Sequence, residues 1–124
     1  MAYPTSAQHA RMQIQQTDRD GVTIVSPQGR IDTTTSGSVE DALRHAVDGG
    51  ARRLVVDLAG VQYISSAGLR VFLVLAKRMR DLHGTLVLSG MTEPVRQVFQ
   101  IAGFMPLFRV EPTRESALAS VTRA

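Results

Sequence analysis

The feature that most constrains this chain is an unbroken run of β-favouring residues, Leu54, Val55 and Val56, held between Arg52 and Arg53 on one side and Asp57 on the other. A strand with one wet face alternates apolar and polar side chains, so a continuous apolar run bounded by charge reads as a strand covered on both faces. It is the expected centre of a sheet. Around it the pattern switches repeatedly between period two and period 3.6. Met12, Ile14 and Gln16 lead to a turn signal at Asp18, Arg19, Asp20 and Gly21, after which Val22, Ile24 and Val25 resume an extended pattern, so an antiparallel hairpin opens the fold. Pro27, Gly29 and Asp32 are expected to break the second strand. Thr33 to Ser38 then offers helix caps ahead of Val39, Ala42, Leu43, Ala46 and Val47, which are helically spaced and stopped by Gly49 and Gly50.

Beyond the central strand, Val61 to Ile64 reads as a short link and Ser66 to Leu82 as a helix with Leu69, Phe72, Leu73 and Ala76 on its core face. Thr85 to Leu88 is a second central strand. Thr92 and Pro94 open a further helix through Val95, Val98, Phe99 and Ala102, Phe108 to Val110 is a last strand, and Thr113 to Val121 a last helix with Leu118 and Val121 inward. The order β-β-α-β-α-β-α-β-α defines an α/β fold. Its sheet is mixed, an opening antiparallel hairpin followed by βα units, with about four helices packed on it. At 124 residues the chain is one domain, expected over residues 11–124 after a flexible tail at residues 1–10, and it is long enough to bury a core without staples. With no cysteine, it has none to use.

Charge excludes less than the sequence pI of 10.2 suggests, because 14 basic residues stand against only 11 acidic ones. The basic residues are scattered singly, unlike a nucleic-acid-binding tail, so no direct nucleic-acid contact is expected. The longest apolar run, Val71 to Ala76, falls far short of the about twenty residues of a membrane span. No apolar stretch near the N-terminus resembles a secretory signal, and with no cysteine present a cytoplasmic protein is expected.

The motifs of common enzymes are missing. Tyr63-Ile64-Ser65-Ser66-Ala67-Gly68 does not fit the Gly-x-Ser-x-Gly nucleophile turn, and Lys77, the sole lysine, lies in a helix rather than a phosphate-binding loop. His9, His45 and His83 have no metal-ligand spacing, so no metal site, cofactor or catalytic residue is expected. The stretch that stands out runs from Asp57 to Leu73. Ser65 and Ser66 sit where a helix begins, and one plain role is capping, worth about 1 kcal/mol, with Gly68 allowing close packing on the sheet.

The whole string, Asp57-Leu58-Ala59-Gly60-Val61-Gln62-Tyr63-Ile64-Ser65-Ser66-Ala67-Gly68-Leu69, resembles the signature of STAS domains, and in particular of bacterial anti-sigma factor antagonists, whose pattern runs Asp-Leu-Ser-Gly-Val and then Asp-Ser-Ser-Gly-Leu before an apolar helix. Gly29-Arg30-Ile31-Asp32 and Glu93 to Phe99 with Gly103-Phe104 extend the resemblance over roughly residues 12–122. Aligned on Gly60-Val61 and Gly68-Leu69, the family's phosphorylated serine falls on Ser66, its preceding aspartate on Ser65, and its second serine on Ala67. The resemblance implies a STAS-like sheet and a partner-switching cycle. The unmodified protein captures an anti-sigma factor that is also a serine kinase and so frees a sigma factor; phosphorylation of Ser66 ends the capture, and a PP2C-type phosphatase restores it. Ser65, standing where relatives have an acid, is a competing acceptor. An adaptor module in a lipid-transport or stress-signalling complex, never phosphorylated, is the alternative.

The expected partner surface joins Asp32, Ser65, Ser66, Ala67, Gly68 and Arg70 to the outer helix positions Val71, Val74 and Arg78, on a monomer or weak dimer. Val71 and Leu75 are either part of an outer apolar patch or shoulders of the core. Arg70 is either a phosphate or partner contact or a solvated side chain, and Asp32 either a contact or a turn residue.

Overall fold

The computed structural model describes residues 12–123, and the tail expected at residues 1–10 lies outside them. The hairpin is present as β1 (Gln13–Arg19) and β2 (Val22–Ile31), antiparallel from Gln13↔Gln28 to Arg19↔Val22. Its turn, Asp20-Gly21, holds both residues at positive φ, 55° and 81°, the backbone that matches strand twist in two-residue hairpins and favours Asp-Gly.

β2 does not stop at Pro27. It continues to Ile31 because its two halves have different parallel neighbours: Thr23–Val25 pair with β3 (Arg53–Asp57), and Gly29–Ile31 pair with β4 (Val61–Ile64) across a register shift at Gly29/Arg30. Pro27, which has no N–H to donate, falls in the gap between those two ladders. The expected link at Val61–Ile64 is therefore a strand, one whose exposed Gln62 and Tyr63 hide the usual alternation. β5 (Thr85–Ser89) and β6 (Arg109–Glu111) complete a sheet ordered β1-β2-β3-β5-β6, with β4 on β2. Only the opening pair is antiparallel, so the sheet is mixed as expected.

Four helices over the described residues pack on this sheet: α1 (Ser36–Asp48), α2 (Ser66–Asp81), α3 (Glu93–Ile101) and α4 (Arg114–Arg123), with a 3-10 turn at Met105–Leu107. None is long and apolar enough to cross a membrane. Helices α1, α2 and α3 bury Leu43, Phe72, Met79 and Phe99 against Val25, Ile31, Leu54, Val56 and Leu88. Helix α4 covers the other face, setting Ala117 and Val121 on Val22, Ile24, Val55 and Val87. Leu54 and Val56 thus point to one core and Val55 to the other, which is why the run at 54–56 cannot alternate.

Candidate functional site

The C-terminal ends of β2 and β4 lie side by side and launch α1 and α2 from one edge of the sheet. Ser65 N–H donates to the Ile31 carbonyl at 2.8 Å, which ties the start of α2 to the end of β2. Loops at the carboxyl edge of parallel strands are the usual seat of function in such sheets.

The two serines have separate tasks. Ser65 is the N-cap of α2, with extended backbone, and its Oγ accepts from Gly68 N–H at 3.3 Å. Ser66, the first helical residue, is exposed. Capping and a free hydroxyl are both present, on different residues. Gly68 is buried, and a Cβ there would stand 2.7 Å from both Ile31 Cγ2 and Ile64 Cγ1, so glycine is what allows the first turn of α2 to rest on the ends of β2 and β4. Gly68 therefore acts by packing, and as a buried residue it has little surface to offer the partner contact expected of it.

Of the two readings of Val71 and Leu75, the structure has them as shoulders of the core, and the inward face expected of α2 is shifted. Val71 and Leu75 are buried, 8% and 5% exposed, while Leu73 and Ala76 are only half-buried. The helix is covered on two flanks, by α1 as well as by the sheet, so its buried face is rotated toward α1 relative to the face read from spacing. Val74 is 55% exposed and Arg70 is exposed. Arg78 is half-buried and forms an ion pair with Asp48 at the end of α1, which joins the two helices at the far end from Ser66. That bond holds the Asp48 carboxyl below the ordinary aspartate range.

Between the first turns of α1 and α2 lies a cleft of about 370 Å³. Ser66, Arg70 and Val74 line it from α2, Ser36 and Glu40 from α1, and Val71 forms part of its wall. Ser36 and Glu40 were not singled out by sequence reasoning, because nothing in spacing tells that the first turns of helices thirty residues apart meet. Topology does: β2 and β4 are parallel neighbours, so the helices that follow them start together.

Asp32 organises the loop leading into α1. Its Oδ1 accepts from Thr34 Oγ1 at 2.7 Å and Thr34 N–H at 2.9 Å, while its own N–H donates to Thr35 Oγ1 at 2.9 Å. The Thr34 hydroxyl first, then its N–H and Thr35, hold this carboxyl below the ordinary range. Asp32 is thus a turn-forming aspartate beside the cleft. Thr92, expected to open α3, is its N-cap residue, but its hydroxyl donates to the Val61 carbonyl at 2.9 Å and ties α3 to β4, with no side-chain cap bond to its own helix. Among the described residues no cluster of three His, Cys, Asp or Glu could hold a metal ion.

Hairpin, parallel βα units and a serine-capped helix launched beside β2 together define a class. The chain belongs to the STAS domain family, whose model matches residues 13–117. Among curated proteins it is 44% identical over 105 residues to BtrV of Bordetella bronchiseptica, described as a candidate anti-sigma factor antagonist, covering 85% of this chain and 90% of that one. The anti-sigma-B factor antagonist of Listeria monocytogenes is 32% identical over 101 residues, 81% of this chain and 87% of its own. The crystal structure of an anti-sigma factor antagonist from Mycobacterium paratuberculosis superposes with a TM-score of 0.84 at 26% identity, covering 91% of this chain and 96% of that one.

Proposed function

We propose that this chain is an anti-sigma factor antagonist switched by phosphorylation of Ser66. In its unmodified form it binds an anti-sigma factor that is itself a serine kinase and so frees a sigma factor; a PP2C-type phosphatase reverses the modification. The observation that carries this reading is the division of labour at the head of α2: Ser65 Oγ is committed to Gly68 N–H, whereas Ser66 is exposed on the rim of the cleft. A kinase needs a hydroxyl it can reach.

The same geometry answers the departure at Ser65. An N-cap aspartate and an N-cap serine serve the same N–H groups, so replacing the family acid leaves the helix start intact and removes only a charge. That weakens the case for an unphosphorylated adaptor. Phosphate on Ser66 brings about −1.5 to −2 charges to a helix N-terminus, where the dipole and free N–H groups favour them, so the fold tolerates the modification and a docked partner does not. The bound partner must accommodate a hydrated dianion at the cleft rim, and a loss of about 2.7 kcal/mol already weakens binding a hundredfold.

The test is direct. Incubation with the serine-kinase anti-sigma factor of the same genome and ATP should place phosphate on Ser66, with none on Ser66→Ala, and Ser66→Asp should lose the partner in a pull-down. Phosphate mapped to Ser65 instead, or undiminished capture by Ser66→Asp, would sink the proposal.

A further inference from the structure

The formal charge of +3 is unevenly placed. Helix α2 carries Arg70, Lys77, Arg78 and Arg80 against Asp81, a net of +3 by itself. Helix α1, packed beside it, carries Glu40, Asp41 and Asp48 against Arg44, a net of −2 with His45 neutral. Two ion pairs consume part of this: Asp41 with Arg44 at 2.6 Å within α1, and Asp48 with Arg78 between the helices. What remains exposed without an oppositely charged partner among the described residues is Glu40 on α1, and Arg70, Lys77 and Arg80 with the single acid Asp81 on α2, so the unpaired charge of α2 is still predominantly positive.

These positions are ordered. Residues 66, 70, 74 and 77 follow one another at helical spacing, so Ser66, Arg70, Val74 and Lys77 form one outward stripe with the candidate phosphoacceptor at its head. From Ser66 to Lys77 the stripe rises about 17 Å at 1.5 Å per residue. A standard interface takes about 800 Å² from each partner, a disc of about 16 Å radius. A contact of that size centred on Arg70 therefore takes in Ser66, about 6 Å away along the helix, Lys77 at about 10 Å and Arg80 at about 15 Å, and reaches across the cleft to Glu40.

We infer that the α1–α2 face is a two-signed docking surface whose partner sets acidic side chains against α2 and a basic one against Glu40. This rests on the function proposed above and specifies the chemistry of the anti-sigma factor's matching face. Opposed stripes steer encounter and fix the orientation in which the partner's kinase site meets Ser66. They also give the phosphate an electrostatic point of action. Arg70 lies one turn from Ser66, within a Debye length of about 8 Å, so a dianion there reverses the local sign and repels the acid that Arg70 attracts. Lys77 and Arg80 lie beyond that length and keep their charge. A nucleic acid fits this face poorly, because Glu40 lies across the cleft from Arg70 and repels a phosphate backbone.

The test uses a Lys77→Glu/Arg80→Glu double variant, checked for an unchanged melting curve, and the purified serine-kinase anti-sigma factor of the same genome. At low salt the double variant should bind at least about tenfold more weakly, with the gap closing at high salt, and Glu40→Lys should weaken binding as well. Undiminished low-salt affinity of the double variant overturns the docking surface, and the switch still stands if Ser66→Asp abolishes capture. If the double variant weakens binding and Ser66→Asp does not, the surface stands and the switch fails. Binding of a random-sequence DNA duplex by the unmodified protein, lost in the double variant, assigns the stripe to nucleic acid and overturns the inference.

Discussion

At residue scale the site depends on a missing side chain and on a carboxylate oxygen that accepts several hydrogen bonds. Gly68 has Ile31 and Ile64 each 2.7 Å from where its Cβ would stand, and both belong to strand ends that cannot retreat without opening the β2–β4 ladder. Gly68→Ala should therefore destabilise the protein by about 1–3 kcal/mol despite the better helix propensity of alanine, and urea denaturation will read it as a lower midpoint at constant slope. Asp32 makes a different prediction. Its carboxyl is held below the ordinary range, chiefly by the Thr34 hydroxyl, so the unfolded chain takes up its proton at a higher pH than the folded one. The stabilisation is complete above the ordinary aspartate pKa and fades as pH falls through the lowered value. Asp32→Asn should lower the urea midpoint near neutral pH and lose that deficit progressively in acid below about pH 4. A deficit constant across that window would show that the loop is not held by the charged carboxylate.

At the scale of elements, capping and reaction are carried by consecutive serines, and stability data can separate them. Ser65→Ala removes the acceptor for Gly68 N–H and should cost about 1 kcal/mol, whereas Ser66→Ala removes an exposed hydroxyl and should change the urea midpoint by less than about 0.5 kcal/mol. Equal costs would contradict the assignment of the cap. Elements are also where sequence reading was strongest and where it slipped. The hairpin, the central strand and the helices were legible because each has a period, a stop residue or a turn pair such as Asp20-Gly21. β4 was missed because four residues with two exposed in the middle carry no period. Pro27 misled because its effect depends on which neighbour lies opposite, and the change from β3 to β4 along β2 is a tertiary fact. The start of α2 at Ser66 was legible through its motif. The burial of Val71 and the partner of Arg78 were not, since both follow from α1 lying alongside α2.

For the molecule as a whole, the sheet separates two cores of very different size. On the α1–α3 side lie Phe72, Phe99, Met79 and most of the large buried residues, with Phe99 edge-on to Phe108 at 5.5 Å between ring centroids. On the other side α4 contributes Ala117 and Val121, with Leu118 partly buried. Its first turn is held by Arg114, which donates to Asp57 Oδ2 at 2.9 Å and Ser26 Oγ at 2.7 Å. Little apolar area means little free energy to open, so α4 should exchange its amide hydrogens well before α2 does, and Arg114→Ala should accelerate that exchange in α4 alone. Ser66 lies at the opposite face, where Ser65, Gly68 and Ile31 hold the start of α2 on rigid strand ends. Phosphorylation then has no packed route to α4. Hydrogen exchange of the phosphorylated and unmodified protein should differ in β4, the first turns of α2 and the start of α1, and coincide in α4. A switch of that form works by what it presents at the cleft, leaving the fold behind it unchanged; altered protection in α4 would mean instead that the phosphate repacks the sheet.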